Sequence, residues 1–205
     1  MLSLFFVPLI LLASGMATSV WMLFSLYILS GFGMAGIGMG VMHDAIHGSY
    51  SKNKKINKIL GYSFNLIGAN STIWKIQHNV LHHTYTNIHG HDEDLEAGRV
   101  LRFSQHADWH WHHRFQHYYS ILLYGLLTIN WAITTDFQQM RRYMKRKLSY
   151  GKFPNPVANW SKLVISKIIY ICIWIVLPIG IGITWWKVLI GFFVMHYTAG
   201  LILSV

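Results

Sequence analysis

Four apolar runs lie along the chain, over residues 1–14, 20–42, 168–186 and 188–205, and they bracket a central stretch that holds nearly all charged and histidine side chains. An apolar helix needs about 20 residues to cross a hydrocarbon core of roughly 30 Å. The run 20–42 meets that length without a charge, while 168–186 and 188–205 are separated by little more than Lys187 and predict a tight helical hairpin. The run 1–14 is shorter and lacks the basic start of a secretory signal peptide, so it predicts a helix cut off at its beginning. The run 188–205 likewise stops in apolar sequence, and both ends are expected to be truncations. The pattern predicts an all-α membrane protein: two transmembrane helical hairpins, with a cytoplasmic His-rich helical cap formed by the cytoplasmic or interfacial block 43–167. The whole, 1–205, reads as a single incomplete membrane domain.

A further apolar run, 118–137, contains Asn130 and ends beside Asp136. Basic clusters at 52–58 and 141–147 flank it, and the positive-inside rule places both in the cytoplasm. The chain between them then crosses zero or two times. With one candidate run available, it is expected to form an interfacial or re-entrant helix. Pro154 and Pro156 predict a short break before the second hairpin.

Composition narrows the class. Hydrophobic residues make up 53% and charged residues 12%, against roughly 25% charged in a soluble domain, which excludes an ordinary water-soluble globule. A net charge of +10 raises nucleic acid as a partner. The basic residues instead flank apolar runs, where anionic cytoplasmic lipid accounts for them, and no nucleic-acid partner is expected. Cys172 is the single cysteine, so this chain has neither an internal disulfide nor a thiolate metal site. The pattern Gly31-x-Gly33-x-x-Gly36 matches a dinucleotide-binding fingerprint by letter, but it sits in an apolar run rather than between a soluble strand and helix. It predicts close helix packing instead.

Of thirteen histidines, twelve lie between His43 and His117. His43 and His47, at i and i+4, leave the second apolar run on one helical face. His78 and His82 share a face in the same way, and His83 is turned about 100° from His82, so neighbours can address different metals. Imidazole suits iron, zinc and copper, and the lack of cysteine argues against structural zinc. These five residues are the candidate metal ligands. Asp44, Asp92 and Asp94 are candidates to orient the imidazoles through their second ring nitrogen. His106, His110, His113 and His117 recur at steps of four, three and four, predicting one stripe of a helix. That stripe reads as an interfacial face beside Trp109, Trp111 and Tyr118, with His113 and His117 kept as further candidate histidines. His196, in the last run, is either a polar contact between helices or an approach to the site. A membrane metal-binding or transport protein is the non-enzymatic alternative, but its ligands belong along a path through the spans, where only His196 lies deep.

The run HDAIHGSYSKN at 43–53 resembles the first histidine box of membrane fatty acid desaturases, and QHNVLHHTYTNIHGHDEDLE at 77–96 resembles the second. With HRFQHYYSILLYGLL at 113–127, the chain is most similar to acyl-CoA and acyl-lipid desaturases that include linoleoyl-CoA and front-end enzymes. The resemblance implies that His43, His47, His78, His82 and His83 ligate two non-haem iron ions on the cytoplasmic side of the membrane. It also implies dioxygen as co-substrate and a long acyl chain, carried on CoA or lipid, as substrate. Since these residues hold no haem, flavin or nicotinamide motif, it implies an electron donor of cytochrome b5 or ferredoxin type. The family's third histidine box, and a further ligand at the end of the last span, would follow Val205. Trp74, Lys75 and Arg102 read as interfacial anchors or as contacts for the substrate head. A related di-iron hydroxylase is the enzymatic alternative, and the tract Thr84-Tyr85-Thr86-Asn87-Ile88 favours desaturation.

Overall fold

A computed structural model describes residues 1–95, 97–148 and 156–204; Pro154 and Val205, at the expected break and the end of the last run, lie outside them. Regular structure among the described residues is entirely helical. Helix α1 (Leu2–Ala13) turns at Gly15, whose φ of +73° suits glycine, into α2 (Val20–His47). Ser19 caps α2, accepting from the Met22 N–H at 3.1 Å. The central stretch forms α3 (Lys54–Gly61), α4 (Ser63–Leu66), α5 (residues 71–85), α6 (Gln116–Tyr124) and α7 (residues 127–145). Then come α8 (Pro156–Gly180) and α9 (Trp185–Ser204).

Three of these helices, α2, α8 and α9, are long and apolar enough to cross a membrane, whereas α1 is apolar but has 12 residues. Phe5 and Leu12 of α1, Leu26, Tyr27 and Met34 of α2, Trp174 of α8, and Met195 and Ala199 of α9 belong to one buried apolar cluster. Small residues let the helices approach. A Cβ at Gly31 would lie 2.6 Å from the Met195 carbonyl oxygen, and one at Gly33 would collide with the backbone of Leu4 and Phe5. The glycine pattern of α2 thus serves packing on both sides. Gly31→Leu is expected to push α9 away at a cost of about 1–3 kcal/mol, the range for overfilling a packed interior. A fall in the thermal midpoint of the detergent-solubilised protein checks it.

Helix α8 differs from the sequence expectation in its extent. The apolar run starting at residue 168 is the second half of a helix running from Pro156, and the turn to α9 falls at 181–184, where Gly182 takes φ +98°. The sequence masks the earlier start because Lys162 and Lys167 interrupt the hydropathy. Lys167 is nevertheless buried, 7% exposed. Its Nζ donates to Asp136 Oδ2 at 2.6 Å, to the Gly68 carbonyl at 2.5 Å and to the Trp131 carbonyl at 2.9 Å.

The run 118–137 is divided between α6 and α7, and neither is among the helices long and apolar enough to cross. The division falls at Gly125, where a Cβ would strike the Tyr197 ring of α9. The expected histidine stripe from 106 to 117 does not form: residues 101–110 are not helical, Trp111–Phe115 is a 3-10 turn, and α6 begins at Gln116. Side-chain bonds to backbone compete with the helix here. Arg102 donates from Nε to the Ala107 carbonyl at 2.8 Å and from its N–H to Gln116 Oε1 at 2.9 Å, holding the loop open.

Candidate metal centre

The first box closes α2. Gly48, at φ +76°, ends the helix, and Asn57 of α3 seals the following turn by donating from Nδ2 to the carbonyls of Gly48 and Ser51 at 2.9 and 2.8 Å. The second box lies on α5, which is started by Asn70 Oδ1 accepting from the N–H groups of Thr72 and Ile73 at 3.0 and 3.1 Å. Both boxes adjoin widened turns: Ile37–Met42 just before His43, and Ile76–His82 through the second box, are π-helical. In π register, hydrogen bonds span five residues, so residues five apart stack. His83 is therefore not turned away as α-helical geometry predicts; its Nε2 lies 3.2 Å from His78 Nε2.

All five box imidazoles converge. Ring centroids stand 4.6 Å apart for His43 and His47, 5.2 Å for His43 and His78, 5.0 Å for His47 and His83, and 5.3 Å for His78 and His82. One nitrogen from each of His43, His47 and His78 lies within 4.8 Å of the others, and the same holds for His78, His82 and a carboxylate oxygen of Asp94. His78 belongs to both groups. Trp74 stacks on it at 4.1 Å and walls the cluster.

The acids divide the work of orienting the rings. His82 Nδ1 lies 3.1 Å from both oxygens of Asp92 and 3.1 Å from Asp94 Oδ2. Asp92 is only 1% exposed. Burial works against its carboxylate, but the N–H groups of Asn87 and Asp94 and the His82 ring outweigh it and hold the pKa below the ordinary carboxylate value. Asp44 Oδ1 lies 3.2 Å from His43 Nδ1 at a more open position. Burial, then the neighbouring imidazoles, push the pKa of His78 down to about 3, so its lone pair is free at neutral pH. Converging imidazoles with carboxylates and no thiolate suit a transition metal such as iron, zinc or copper.

The remaining candidates stand apart from this cluster. His113 has both nitrogens engaged, Nδ1 accepting from the His110 N–H at 3.0 Å and Nε2 donating to the Arg99 carbonyl at 3.0 Å. His117 packs against the Tyr118 ring. His196 is fully buried between helices. Thr128 Oγ1 donates to the His196 carbonyl at 2.8 Å, so it accepts from His196 Nδ1–H at 3.0 Å, which leaves Nε2 to accept from the Tyr170 hydroxyl at 2.7 Å. The choice open in the sequence resolves to a polar contact between helices.

The fatty acid desaturase family model matches residues 19–205. The chain belongs to that family. Among relatives of this desaturase-family chain, an sn-1 linoleoyl-lipid 6-desaturase of Arthrospira platensis is 34% identical over 91% of the chain and 50% of its own length. One of the same name from Synechocystis is 33% identical over 82% and 46%. An acyl-lipid (8-3)-desaturase of Physcomitrium patens is 38% identical over 52% and 23%. The chain thus spans about half the length of the first two. No solved structure matches it.

The desaturase family's box letters lead to the five histidines, but not to Glu93, which meets Gln139, Arg142 and Tyr143 of α7. Between Asp92 and Asp94 it reads as one more acid of a solvated turn.

Proposed function

We propose that the protein is an oxygen-dependent desaturase that introduces a cis double bond into a long acyl chain carried on lipid or CoA, with His43, His47, His78, His82 and His83 holding two non-haem irons. The observation that carries the reading is the convergence of both boxes, from α2 and α5, on one cluster of imidazoles. The names of the relatives favour a lipid-linked chain. When bound, such ions supply the reduction of dioxygen to two waters, consuming two hydrogen atoms from adjacent methylenes together with two electrons and two protons from outside. An electron donor of cytochrome b5 or ferredoxin type completes the reaction.

The protein's own part is positioning. Carboxylates at the Nδ1 side of His82 and His43 fix the tautomer and aim Nε2 inward. The Trp74 ring shields one side of His78. The two hairpins are α1 with α2 and α8 with α9, and the cluster faces the cytoplasm beside the basic residues of α3 and α7, as the positive-inside rule requires. An ion path through the spans is disfavoured because both nitrogens of His196 are engaged by Thr128 and Tyr170.

Expression in a host with a suitable electron donor and defined fatty acids, followed by chromatography of the lipids, tests the reading. A new alkene is expected, lost by more than ~100-fold in His82→Ala, beyond the cost of removing an outer hydrogen-bond partner. A hydroxylated product without an alkene overturns desaturation in favour of the hydroxylase.

A further inference from the structure

We infer that Glu93 is a positioning residue of the second box: it fixes where Asp92 and Asp94 stand, and through them the ring of His82. The inference rests on the metal reading above. Glu93 opens a 3-10 turn, Glu93–Leu95, and its two neighbours in sequence are the carboxylates that bond His82. Its own side chain reaches α7. There Gln139 Nε2 donates to Oε2 at 2.9 Å, the Tyr143 hydroxyl donates to Oε2 at 2.7 Å, and Arg142 donates to both oxygens at 3.2 and 2.9 Å. Steps of three and four put Gln139, Arg142 and Tyr143 on one helical face. The turn is therefore gripped from both sides, by His82 through Asp92 and Asp94, and by α7 through Glu93.

A parallel link runs through two buried amides. Gln139 Nε2 reaches Gln77 Oε1 at 3.4 Å, and Gln77 Nε2 donates to Asp94 Oδ1 at 2.5 Å. Gln77 and Gln139 are both buried. A buried amide is costly unless its ends are bonded. The ends here are Asp94 on one side and Glu93 on the other, so the amides tie the same turn to the same helix.

The test is chelator competition on the Co(II)-loaded protein, read by d–d absorption. Glu93→Gln keeps the size of the side chain and removes the charge that Arg142 answers. It is expected to weaken the ion held through His82 by about tenfold, at the low end of the range for outer hydrogen-bond partners, while the ion held by His43 and His47 keeps its affinity and spectrum. Tyr143→Phe removes one donor and is expected to shift the same ion in the same direction by less; if Glu93→Gln does not fold, this variant decides by the same comparison. Equal weakening of both ions, or of neither, overturns the inference by reducing Glu93 to a prop of the fold. A wild-type protein that takes up no Co(II) overturns the metal reading itself, and the inference with it.

Discussion

His78→Ala is expected to lose metal from both donor groups, whereas His47→Ala and His82→Ala each disable one. His78 stands in both the group with His43 and His47 and the group with His82 and Asp94. Its ring also touches both histidines of the first box, 5.2 Å from His43 and 5.2 Å from His47 between centroids, and lies 4.6 Å from His83 of its own box. Removing an outer partner of a metal ligand costs ~10–100-fold in affinity, and removing a nitrogen shared by two groups is expected to cost more than that for both ions. Iron per chain after purification, measured beside thermal stability, checks it. Retention of one ion in His78→Ala would show that the two groups do not share this ring.

Asp136→Leu is expected to be the most destabilising single change outside the histidine boxes. It would leave the Lys167 ammonium buried with two carbonyl acceptors and no counter-charge. Breaking a buried pair by removing one partner costs about 3–5 kcal/mol, while replacing both partners by apolar residues of similar volume is often neutral or better. Asp136→Leu with Lys167→Met is therefore expected to recover most of the loss. Denaturant or thermal unfolding in detergent compares the two. A double variant no more stable than the single one would mean that shape at this junction, not charge, is what matters.

The same junction shows why part of the fold was illegible. Lys167 argues in sequence against an apolar span, and nothing within α8 announces that its partner is Asp136 on α7 or that the Gly68 carbonyl waits beside it. Local pattern was more informative where the partner is close in sequence or is the helix itself. The run 20–42 predicts the body of α2, and Gly31 and Gly33 predict its close packing. At the site, residue type, spacing and the resemblance to desaturases singled out five histidines whose rings the structure brings together. The register was not. The stripe from His106 to His117 failed because Arg102 and Gln116 bond backbone across a loop, a tertiary choice invisible to periodicity. Glu93 was hidden for a related reason, since its partners lie on α7, far along the chain.

The wide turn of α5 separates a motif from its geometry. Five residues in plain α-helix, at 3.6 per turn, would swing His83 about 140° away from His78, yet the two nitrogens stand 3.2 Å apart. Identical letters wound in the ordinary register would therefore spell an intact histidine box with His83 turned away from His78. A substitution that tightened Ile76–His82 into the α register would withdraw His83 from the cluster while leaving every histidine in the sequence.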